Sequence, residues 1–167
     1  MSDIIQRTFP RVTIETPIQF APLNTNKFHP TRSLNFSAGG LCYQSDQRLE
    51  PMAEVCIVML NYAPERFGPE GYRSYLARIR WVQPSSALHG GFATGAQIFA
   101  RSHEILTDEV QEPYHICDLC GALMPASLLQ STNGNAQLCQ HCYKQFQSIP
   151  DGKLRQSVER FLVGNVY

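Results

Sequence analysis

The chain has 167 residues, a formal net charge of zero and 17% charged residues, which excludes a protein that grips polyanions through bulk positive charge. Its 43% hydrophobic content fits a soluble globular protein with one domain and a small appendage. The longest tight apolar run, Val55 to Leu60, is far too short to span a membrane, and Met1 to Arg7 lacks the basic-then-apolar order of a signal peptide. The expectation is therefore a cytoplasmic protein with no membrane span.

In chain order, residues 1–10 read as a flexible arm carrying Arg7, with Arg11 just beyond in Arg-Thr-Phe-Pro-Arg. Pro10 pushes Phe9 towards extended geometry and argues against a helix. Arg11 to Phe20 alternates, with Val12, Ile14, Ile18 and Phe20 on one face, and predicts a half-buried strand. Pro22 to Asn26 is a turn cluster. Arg32 to Phe36 predicts a second strand with Leu34 and Phe36 facing the core, leaving Asn35 and Ser37 on the other face. Leu41–Ser45, Val55–Asn61, Arg73–Gln83 and Phe92–Phe99 complete six strands. Cys42 and Cys56 read as small buried hydrophobes, and Ala63 to Tyr72 as a long hairpin loop. Six strands joined by turns without intervening helices predict a mainly β fold, a small antiparallel barrel. Trp81 is expected in the core, with a rim position that stacks on a base as the alternative. For Arg78 and Arg80, on the polar face of their strand, and for Arg32, a solvated surface and an added phosphate contact both stay open. Ser102 to Glu112 predicts a helix or helical turn, with Ser102 as its cap and Glu112-Pro113 as the domain boundary.

The chemistry concentrates at Asn35-Phe36-Ser37-Ala38-Gly39-Gly40-Leu41. An arginine is a planar fork of donors that pairs with a phosphate, or with guanine O6 and N7, through two bonds at once. An asparagine carbonyl accepts from guanine N–H groups, and a serine hydroxyl bonds a phosphate oxygen. Gly39 and Gly40 permit positive φ and close approach of backbone to ligand. Arg7 and Arg11 followed by Asn35, Ser37, Gly39 and Gly40 thus have the parts for a guanine nucleotide with clustered phosphates.

These residues resemble the RxxxR and (D/N)xSxxG signature of PilZ domains, the bacterial receptors for cyclic di-GMP. Ala77-Arg78-Ile79-Arg80-Trp81-Val82 and Gly95 to Phe99 are similar to two further strands of that family, so the resemblance covers roughly residues 5–105. It implies a six-stranded barrel and cyclic di-GMP as ligand. Arg7 and Arg11 would clamp phosphates and guanine, while Asn35 and Ser37 meet base and phosphate.

Residues 113–167 form a second expected module, after a barrel unit of residues 1–112. Cys117-Asp118-Leu119-Cys120 and Cys139-Gln140-His141-Cys142 are two CxxC knuckles whose four thiolates can reach one tetrahedral Zn²⁺. A disulfide pair or a redox CxxC is the bland alternative. The pattern resembles a zinc ribbon or treble clef. His115 and His141 are near enough to be rival ligands, but four cysteines already fill the tetrahedron, and Asn133-Gly134 marks a hairpin turn. Tyr143 to Phe146 suits the first turn of a helix, and Leu154, Val158, Phe161 and Leu162 lie at helical spacing. The module carries one net positive charge before its thiolates are counted and about −1 with a four-thiolate Zn²⁺ site. That argues against nucleic acid and for a structural zinc with a protein-interaction role.

The reading that follows is a non-enzymatic cyclic di-GMP receptor that changes conformation on binding and signals to a protein partner. The rival is a zinc-finger adaptor on a barrel that binds nothing. No GxSxG, Walker loop or open-site metal set is present, and His103-Glu104 fails as HExxH because position 107 is Thr.

Overall fold

The computed structural model describes residues 9–85, 91–106 and 112–164. Six strands, β1 (Pro17–Pro22), β2 (His29–Ser37), β3 (Gly40–Ser45), β4 (Glu54–Met59), β5 (Ser74–Pro84) and β6 (Phe92–Ser102), close into an antiparallel barrel in the order β1-β2-β3-β6-β5-β4. Period-2 alternation sends Ile18 and Phe20, Leu41 and Tyr43, Val55 and Ile57, and Tyr75, Ala77 and Ile79 into one interior cluster. Burying each of the larger of these side chains stabilises the fold by roughly 1.5–3 kcal/mol. β4 is buried on both faces. Cys56 and Val58 point away from the barrel interior, yet Leu106 is buried and its backbone reaches the Cys56 thiol. Both Cys42 and Cys56 are buried, as expected of small hydrophobes.

Three departures from strict alternation shape the side of the barrel around the β2–β3 hairpin. The strand expected over 11–20 begins only at Pro17, and Val12 is 58% exposed. β2 bulges between Ser33 and Asn35, so beyond the Ser33 N–H bond to the Thr16 carbonyl (3.0 Å) the ladder falls out of step. Ser33 substitutes for it: its hydroxyl donates to the Ile14 carbonyl (2.6 Å) and accepts from the Thr16 N–H (3.2 Å). Farther along, Val12 and Phe36 exchange both backbone bonds at 2.9 Å. Residues 11–16 are thus a strap lying along β2. The same bulge makes Ser33, rather than Leu34, the fully buried residue, while Phe36 does pack on the core. In β5 the register jumps from Ile79–Ala96 to Trp81–Gly95, leaving Arg80 as the extra residue. That turns Trp81 out of the interior, so it is half-buried at the surface and not core.

The helix expected over 102–112 is absent from its described part. Ser102 ends β6, and residues 103–106 run without helical structure; 107–111 lie outside the described residues. The Ser74 hydroxyl holds this segment by donating to the Glu104 carbonyl at 2.5 Å.

Beyond it come two small hairpins, β7 (Tyr114–Ile116) with β8 (Leu123–Pro125) and β9 (Leu129–Ser131) with β10 (Gln137–Cys139), then α1 (Gln140–Ser148) and α2 (Lys153–Leu162). Their core is Met124, Leu138, Phe146, small alanines and cysteines. The β9–β10 turn falls at the expected Asn133-Gly134, and the Gly134 N–H donates to Glu159 of α2 at 2.5 Å. α2 packs through Val158, Leu162 and the following Val163, whereas Leu154 and Phe161, expected on the same face, point outward. The two cores are separate clusters, and Tyr72 packs against both.

Candidate functional site

The strap and the β2–β3 hairpin meet. Arg11, Ser37, Gly39 and Gly40 line one cavity of about 420 Å³, together with Phe9, Arg80, Trp81, Gly95 and Gln97. That volume lies in the usual range for small-molecule sites. Arg11 is close enough that its charge partly offsets the burial that pushes the Cys42 thiol up. Arg7 lies outside the described residues.

Space, and not dihedral angle, constrains the two glycines, Gly40 more firmly than Gly39. Neither has the positive φ expected from the sequence, among the glycines that do (68, 121, 152 and 164). A Cβ on Gly40 would stand 2.4 Å from the Ala96 carbonyl oxygen, a backbone atom that cannot retreat. A Cβ on Gly39 would stand 2.8 Å from the Phe9 ring, which seats the strap on the turn. The Ser37 hydroxyl donates back to the Gly40 carbonyl at 3.2 Å and must turn outward to meet a ligand.

Asn35 does not line this cavity. It pairs with Cys42 in the barrel wall, and its side-chain carbonyl oxygen is enclosed without a hydrogen-bond partner among the described residues. An enclosed acceptor without a donor is costly. A ligand N–H could relieve it only if the side chain swung out.

Sequence reasoning undervalued Trp81. Its indole lies so close over Gly95 that a Cβ there would be 2.2 Å from the ring. A glycine inside a strand marks such an approach and was the available signal. Of the other arginines, Arg80 joins the cavity wall. Arg78 pairs with Glu54 at 2.6 Å and lies over Phe99, and Arg32 is exposed outside the cavity.

The second site is the cysteine cluster. The Sγ atoms of Cys117, Cys120, Cys139 and Cys142 all lie within 4.8 Å of one another, and three of the four residues are buried. The first knuckle is a tight turn: Cys117 N–H donates to Ala122 O (2.8 Å), Gly121 N–H donates to Cys117 O (2.9 Å), and Gly121 takes φ 70°. The second knuckle is itself the start of α1, with Cys139 at its cap and Cys142 in the first turn, so the helix begins at Gln140 and not at the expected Tyr143. Hydrogen bonding from Cys120 pulls the Cys117 thiol down to about 6. Hydrogen bonds from Cys117 lower Cys139 and raise Cys120 and Cys142. Four thiols converging within 4.8 Å of one another are a donor set able to hold a metal ion. His115 is exposed, and neither it nor His141 belongs to the cluster.

Cys120 is also where the two halves touch. Its carbonyl accepts from Arg101 Nη2 (3.0 Å) and the Tyr72 hydroxyl (3.2 Å), both on the barrel side. A cleft of about 490 Å³ opens beside this contact, between Phe36, Ala38 and Ile98 of the barrel and Leu119, His141 and Gln145.

No family model matches the chain, and no curated protein does. Among solved structures it is similar to the Bacillus subtilis inhibitor of motility (MotI/DgrA), at 17% identity over 59% of this chain with a TM-score of 0.46. The chain spans 45% of that protein's length.

Proposed function

We propose that the chain is a cyclic di-GMP receptor made of a barrel unit through residue 112 and a structural zinc unit from residue 113. The observation that carries the reading is the meeting of Arg11 with Ser37, Gly39 and Gly40 around one cavity, as the sequence resemblance requires. Arg7 and Arg11 clamp the phosphates and a guanine edge, Ser37 meets a phosphate, and Asn35 turns its orphaned carbonyl to a guanine N–H. Trp81 and Arg80 add a stacking face and a further cation. Arg7 closes on the ligand beside the strap, and the altered surface is read by a protein partner. The work is binding, not turnover.

Zinc is supported by the donor set. Four thiolates at about 2.3 Å around Zn²⁺ put the sulfurs about 3.8 Å apart. Cys120 and Cys139 Sγ are 3.9 Å apart.

Calorimetric titration of the full chain with cyclic di-GMP, with GTP as competitor, tests the receptor reading. Binding weakened about 5- to 150-fold in both Arg7→Ala and Arg11→Ala supports it. A silent wild-type protein overturns it and leaves the second reading, a zinc-dependent adaptor. Leu154 and Phe161, facing outward from α2, favour that reading.

A further inference from the structure

Cys120 is the least buried of the four cysteines, and within the knuckle the Ala122 backbone N–H reaches its sulfur. A second donor comes from outside the module. His103, just past the end of β6, places Nε2 3.7 Å from Cys120 Sγ. Its Nδ1 lies 3.0 Å from the Tyr62 hydroxyl. A tyrosine hydroxyl can donate to Nδ1, and Nδ1 then accepts. That fixes the tautomer with its proton on Nε2, aimed at the sulfur. The ring is held in this pose by stacking on Tyr72, with centroids 5.0 Å apart and planes 26° apart, and by the His141 ring of the second knuckle at 5.7 Å. His103 is 9% exposed, so it makes this bond shielded from solvent.

We infer that the barrel completes the outer shell of the metal centre: His103 is a positioning residue that donates an N–H to the Cys120 thiolate, with Tyr62 fixing its tautomer. Four thiolates around a divalent cation carry two excess negative charges, and N–H donors to sulfur disperse them. Such outer partners are commonly worth 10- to 100-fold in metal affinity. The centre is then shared between the two units. Its ligands come from the cysteine module and one of its donors from the barrel. This inference rests on the metal reading of the cluster.

The test is zinc affinity of the full-length protein by chelator competition, with Co²⁺ substitution to follow the thiolate-to-metal charge-transfer band. Two variants separate the donor from the packing. His103→Phe keeps an aromatic ring for Tyr72 to stack on and removes the N–H. His103→Gln removes the stack and keeps an N–H that can reach the sulfur. We expect His103→Phe to bind zinc 10- to 100-fold more weakly with a shifted band, and His103→Gln to stay within a few-fold of wild type. Equal affinities in the two variants, or an affinity that follows the ring instead of the donor, overturns the inference. Wild-type protein that takes up no metal overturns the metal reading beneath it.

Discussion

The barrel and the cysteine module solve the same problem with different means. The barrel closes a sheet around Phe20, Tyr43, Ile57 and Ile79, and apolar burial alone can sustain it. In the module, three of the eight buried cluster residues are cysteines, and the hairpins are three residues per strand. So little apolar surface does not hold a fold of that size without a staple. The lesson is that the two halves should fail under different insults although they touch at Cys120.

The largest expected effect breaks the comparison open. Chelating the metal should unfold the module, since structural zinc supplies on the order of 10–16 kcal/mol in small fingers. Hydrogen exchange should show loss of protection in β7–β10 and α1 while β4 stays protected. Collapse of both together would mean the barrel depends on the module. Next, Phe20→Ala should cost the barrel about 3–5 kcal/mol in chemical denaturation, leaving zinc stoichiometry intact. Smaller is Arg11→Ala, which should weaken cyclic di-GMP by roughly 1–3 kcal/mol, about 5- to 150-fold, without moving the denaturation midpoint.

The last concerns alkali. Burial pushes the Cys56 thiol up to about 11 from 9.0. The fold favours the neutral thiol, so this contribution is complete below pH 9 and is lost as pH rises through 11. It amounts to on the order of 2 kcal/mol. Burial raises Tyr43 and Tyr75 as well, in the same direction. Denaturation midpoints for the barrel should fall between pH 9 and 11, and less so in Cys56→Ala.

Much of the barrel was legible because Val55 to Val58 and Tyr75 to Ile79 alternate or run apolar over whole strands. The bulges were not. Nothing local distinguishes Val12 and Ile14 in a strap from the same residues in a strand, because the difference lies in the register of β2. Trp81 followed an unbroken alternation in sequence and was turned outward by one extra residue, Arg80. The cysteine spacing located the four-cysteine cluster outright. His103 was passed over as half of a failed protease motif. Its partner Cys120 is 17 residues away, and only the fold brings them together.

Closure of the barrel limits how another protein can recognise it. Every barrel strand has a neighbour on each flank, so no row of vacant backbone donors and acceptors waits there for an incoming strand. A companion chain would have to read side chains and turns on the barrel, or else extend one of the two short hairpins beside the cysteines.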